Sequence, residues 1–244
     1  MATLTHSLQQ NSWLVYATLF VVLAALLALA PAEATLGNVV KIVYAHGAAE
    51  RIATYAYLIA GVLGVVDLSL RAFFAKQSPI RDSETPALAC GASVASLQKP
   101  LLAMTNEVAR WTQAVAETAI VFWFVQFVIS APAQILAWSA FTPSEPRVAS
   151  ALVVLIATAL VYVVARWLGE PAWLSLAAIA NAAILVIVLR GAVNTLHPVD
   201  PIVGSDSLAI KTFYAAIVVV TGLLAAQFAR DRATIAKVSE PLQV

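Results

Sequence analysis

Residues 148–168 read VASALVVLIATALVYVVARWL. The only charge in this run is Arg166, close to its end. A helix needs about 20 mostly apolar residues to cross a bilayer, and this run supplies them. Working outward, five further runs qualify, over roughly 13–29, 52–74, 113–134, 172–189 and 208–228. The third has polar shoulders at Gln113, Glu117 and Gln134. All six are expected to be helices, because an open sheet cannot satisfy its backbone in lipid. Composition agrees. Of the 244 residues, 61% are hydrophobic and 11% charged, against about 25% charged in soluble domains. Mean hydropathy is +0.88. A disordered chain, a basic nucleic-acid-binding domain and an ordinary soluble enzyme are thereby excluded. The expected fold is an all-α, polytopic membrane helix bundle of about six transmembrane helices, with 1–244 as a single transmembrane domain.

Charge sets the expected orientation. With a cytoplasmic N-terminus, the inner flanks hold Arg71, Lys76, Arg81, Lys99, Arg110, Arg166, Arg230, Arg232 and Lys237. The outer flanks hold Lys41, Arg51, Arg147, Arg190 and Lys211. This bias follows the positive-inside rule and places both termini in the cytoplasm. The first run could be taken for a signal peptide, with small residues over 28–34. No Lys or Arg precedes it, so a retained span is expected. Arg166 to Pro171 reads as a tight hairpin. Residues 76–107 read as a long cytoplasmic loop, either a docking segment or a plain mobile connection. No internal repeat is visible, and no mid-span lysine suits a retinal protein.

Polar groups are few, so their placement matters. His6 lies in the polar N-terminal tail. His46 precedes the second span and His197 follows the fifth, both on the expected outer face. Two neutral imidazoles on one side of a bundle can supply both axial ligands of one haem iron. Two unrelated interfacial histidines would leave the same pattern. The 131–150 connection reads as an outer loop carrying Trp138 and Phe141, either a platform for a planar ring or an interfacial aromatic belt. Arg147 and Arg51 are candidate partners for haem propionates. Within the spans, Asp67 is expected to reach water and Glu117 to make a polar contact between helices. Cys90 is the single cysteine. Without a Cys-x-x-Cys-His motif the chain does not attach haem covalently.

Residues 40–49, Val40-Lys-Ile-Val-Tyr-Ala-His-Gly-Ala-Ala49, resemble the first histidine motif of the CcmC/CcsA-type cytochrome c assembly proteins. That motif runs apolar-Tyr-x-His-x-Pro-Ala-Ala. Here Gly47 follows His46, and Ala48 replaces the proline. Gly191-Ala-Val-Asn-Thr-Leu-His-Pro198 resembles the second, with Asn194-Thr-Leu-His197 as the specific piece. The family's tryptophan-rich loop, ending Trp-Asp-Ala-Arg-Leu-Thr-Ser, is eroded here to Glu145-Pro-Arg-Val-Ala-Ser150, with Trp138 keeping one tryptophan slot and Phe141 substituting at another. The resemblance covers roughly residues 38–235, with 76–105 as an apparent insertion.

The resemblance implies a haem-binding protein of cytochrome c-type biogenesis, in a prokaryotic cytoplasmic membrane. It implies His46 and His197 as axial ligands of a non-covalent haem b at the outer face. Trp138 and Phe141 would be the haem platform, and Arg147, Arg51, Glu145 and Asn194 the propionate or loop contacts. The implied work is haem transport or presentation rather than turnover of a small substrate. Implied partners are ABC-type haem-handling subunits, a haem chaperone or apocytochrome c, with no nucleic acid. The alternative is a haem-bearing or structural membrane subunit of a respiratory or photosynthetic electron-transfer complex.

Overall fold

A computed structural model describes residues 2–33, 36–77, 91–192, 202 and 204–239. Among these residues there are six helices: α1 (Ala2–Leu29), α2 (Val40–Gln77), α3 (Gly91–Trp138), α4 (Pro146–Leu168), α5 (Pro171–Gly191) and α6 (Leu208–Ser239). Each contains a stretch long and apolar enough to cross a membrane. The chain is an integral membrane protein with a helix-bundle fold. α2 is the central helix, packed against α3, α5, α6 and α1.

Several helices outrun their apolar stretches. α2 begins at Val40 rather than near 52, and α3 spans Gly91–Trp138 rather than 113–134. The segment read as a loop over 76–107 is therefore helical from Gly91 onward. Hydropathy marks where a helix meets lipid, whereas backbone hydrogen bonds hold the helix equally well in water. The expected outer loop over 131–150 shrinks to 139–145, because α3 continues through Pro132. Membrane helices tolerate proline where neighbouring groups satisfy the freed backbone. α3 stops at Ser139, a non-glycine residue with φ of 59°. α4 then starts on Pro146, with the Glu145 carboxylate accepting from the Val148 amide at 2.9 Å. The hairpin between α4 and α5 is as tight as expected. Gly169 ends α4 at φ 79°, and Pro171 opens α5.

The packing pattern is that of a bundle in lipid. Small residues are buried between helices, among them Ala53, Ala60, Ala116, Ala119 and Ala178. Large aliphatic residues such as Leu160, Val163 and Ile187 face outward. Lipid tails are as apolar as leucine, so helices associate by close approach rather than by burying bulk. Gly61 and Gly64 on α2 set the closest approach to α5. A Cβ on Gly64 would stand 2.5 Å from the Ser175 carbonyl oxygen, and one on Gly61 would stand 2.7 Å from the Ala182 Cβ.

Carboxylates tie the helices at one end of the bundle. Glu117 on α3 accepts from the Tyr162 hydroxyl of α4, the Arg232 guanidinium of α6 and the Gln113 amide. This is the interhelical contact expected of it. Asp67, expected to reach water, is fully buried. It accepts from Ser175 of α5 at 2.7 Å and from Arg71 at 2.8 Å. A buried acid needs such donors, and the α2–α5 approach brings Ser175 to it. Asp231 of α6 accepts from Ser12 and Tyr16 of α1.

Replacing Gly64 by Leu should destabilise the bundle by about 1–3 kcal/mol or more, because the α5 backbone cannot yield. Gly37→Ala serves as the comparison, since no atom lies within 4 Å of its Cβ position and any cost there comes from its φ of 56°. Thermal unfolding of both variants in detergent, followed by circular dichroism, should show the larger loss for Gly64→Leu.

Candidate functional site

At the end opposite these carboxylate ties lies a cavity of about 390 Å³, within the usual range for small-molecule sites. Its walls come from Glu33, Leu36 and the start of α2, the last turns of α3, the start of α4, the end of α5, and Ile202, Ser205 and Ile210. The lining is mostly apolar. Its floor is Trp123, almost fully buried, which packs edge-on against Tyr57 with ring centroids 6.0 Å apart. The Trp123 indole donates to the Ala151 carbonyl at 2.9 Å. Beneath them Val154 and Leu185 belong to the same buried cluster.

His46 stands in this cavity. It lies inside α2 rather than ahead of it, since the helix already begins at Val40. Its Nδ1 is 3.1 Å from the backbone carbonyl oxygen of Gln126. A carbonyl only accepts, so Nδ1 carries the hydrogen. In the neutral ring Nε2 then keeps its lone pair. This is the arrangement by which proteins orient a histidine that ligates through Nε2. Nε2 is 3.9 Å from a Glu50 carboxylate oxygen, beyond hydrogen-bond range. The other Glu50 oxygen accepts from Arg147 Nη2 at 3.0 Å, pinning α2 to α4 beside the cavity.

The structure brings together His46, Trp138 and Arg147 of the sequence-derived candidates. The others are placed differently. Phe141 is exposed and outside the cavity wall. Arg51 lies over the Tyr214 ring, 5.4 Å from its centroid. Glu145 is buried as the cap of α4. Phe141 and Glu145 lie where they do because extending α3 to Trp138 leaves only 139–145 to connect it to α4, whereas Arg51, five residues beyond His46 on α2, turns to a different face of that helix. His197 and Asn194 lie outside the described residues.

The structure adds wall residues that the sequence reading missed. Glu50 is one helical turn beyond His46, a spacing that the helix period exposes. Gln126, Ser130 and Gln134 recur every four residues and so form one polar stripe on α3, facing the cavity. Gly47, in place of a bulkier residue beside His46, is also explained. A Cβ there would sit 3.0 Å from the Tyr214 hydroxyl of α6.

No family model matches the chain, and no curated protein or solved structure shows significant similarity to it.

The Glu50–Arg147 pair is partly solvent-exposed, so its coupling should be modest. A double-mutant cycle with Glu50→Ala and Arg147→Ala should return about 0.2–1 kcal/mol, read from thermal unfolding in detergent, and less at high salt.

Proposed function

We propose that this chain is a haem-binding membrane protein of cytochrome c-type biogenesis, which holds one haem b at the outer membrane face for presentation or transfer. The observation that carries the reading is the His46–Gln126 hydrogen bond. It fixes the tautomer, and it leaves an imidazole lone pair in an apolar cavity. The second ligand is His197. His197 itself lies outside the described residues; on either side of it in sequence, Leu189 and Ile202 line the cavity. The resemblance to CcmC/CcsA-type proteins names the same two histidines.

Haem, when bound, supplies a redox-active iron and a broad apolar ring. The chain's residues do the holding. Trp138 offers an aromatic wall, and Arg147 a cation whose charge Glu50 already offsets. Trp123 and the core beneath it exclude water from the cavity floor. The outer orientation rests on the cation bias of the flanks, and the prokaryotic cytoplasmic membrane on the family resemblance. One observation favours a haem-bearing subunit of an electron-transfer complex as the second reading. The 139–145 segment, where the family keeps its tryptophan-rich hand-over loop, contributes nothing to the cavity wall. Co-purification of a stable multi-subunit complex from native membranes would select that reading.

Protein purified after haem-replete expression should show the absorption spectrum of a bis-histidine haem. His46→Ala and His197→Ala should each abolish it, and lowering the pH should release the haem as protons compete for the imidazoles. Haem-free wild-type protein from such cells would overturn the assignment.

A further inference from the structure

Two buried donors in the cavity have nothing to donate to. Gln126 and Gln134 are each only 2% exposed. The side-chain nitrogen of each is buried and makes no hydrogen bond among the described residues. The Gln134 amide is oriented by its own oxygen, which accepts from the Thr142 amide at 3.3 Å and leaves the nitrogen as the idle end. Gln126 uses its backbone carbonyl to hold His46. An unmade buried hydrogen bond is expensive, and native structures keep few of them. Two on one helix face of one cavity therefore have a use that the free chain does not show.

We propose that Gln126 and Gln134 are the hydrogen-bond donors that recognise the ligand's carboxylates, a role that rests on the haem reading above. Their Cα atoms are eight residues apart on α3, about 12 Å along the helix axis. The pair therefore addresses two acceptor groups rather than one. A porphyrin of the haem b type carries two carboxyl groups on one edge and no other oxygen acceptor. The arginines that the sequence offered for this task are committed elsewhere, Arg147 to Glu50 and Arg51 to the Tyr214 ring. Amide donors also cost less to keep buried in the free protein than a guanidinium would.

The test titrates the full-length protein in detergent with iron protoporphyrin IX and, separately, with its dimethyl ester. Wild type should bind the free acid roughly tenfold or more tighter than the ester, the scale of hydrogen bonds to a charged acceptor. Gln126→Leu should erase part of that preference, and the Gln126→Leu/Gln134→Leu double variant nearly all of it. Gln134→Glu keeps an acceptor for Thr142 but turns the donor into a like charge, so it should reject the acid while still binding the ester. The ligand-free Gln126→Leu protein should unfold at the same temperature as wild type or higher, because an unsatisfied polar group has been removed. Equal binding of acid and ester by wild type, or a preference that survives the double variant, would overturn this proposal and leave the haem reading standing. A lowered unfolding temperature with the preference intact would show a structural role and overturn it as well. Failure to bind either porphyrin would overturn both.

Discussion

A carboxylate placed inside a membrane bundle has to find its donors there, and Glu117 finds them on two other helices. The Arg232 side chain is partly exposed, so its ion pair with Glu117 contributes less than a fully buried one, but together with Tyr162 it joins α3, α4 and α6 at one point. Asp67 links α2 to α5 in the same way, and Asp231 links α6 to α1. Every helix thus enters at least one carboxylate tie at the same end of the bundle. At the opposite end the helices leave a cavity, beside which Glu50 and Arg147 join α2 to α4. α3 connects the two ends. It carries its register from Glu117 to Gln126 over roughly 13 Å of continuous helix, which sets where the Gln126 carbonyl meets His46.

The class of fold was legible in the sequence because lipid admits so few solutions. Runs such as 148–168 state the helix and its environment together. Helix ends were less legible. Hydropathy is silent about helix that projects into water, which is how 91–107 came to read as a loop. Proline is a weaker stop in membranes than in soluble proteins, which is how 131–138 did. The site was half legible. His46 stands out because histidine is scarce here, and Arg147 because cations are. Phe141 and Arg51 are near the motifs in sequence but not in the cavity, Phe141 because α3 extends to Trp138 and Arg51 because five residues of helix turn it away from the His46 face. Gln126 and Gln134 look unremarkable in the sequence. Their interest comes from burial without partners, a property of the folded state alone.

The carboxylates on the cavity wall are both held by donors. Glu50 meets Arg147, and the Glu33 carboxylate accepts from the Leu36 amide. The other polar groups on the wall are an imidazole, two amides and the hydroxyls of Tyr44, Ser130 and Ser205, set among apolar side chains. Such a surface costs little to keep dry. It suits a molecule that is itself broad, apolar and polar only at its edge.

The floor of the cavity has a consequence for the membrane as a whole. Trp123, Tyr57, Val154 and Leu185 form a close-packed layer between the cavity and the carboxylate ties below. Among the described residues the layer is apolar except where the Tyr57 hydroxyl pairs with Thr158 at 2.8 Å and the Trp123 indole donates to the Ala151 carbonyl. On the proposed reading, a guest held above this layer is separated by it from the far side of the bilayer.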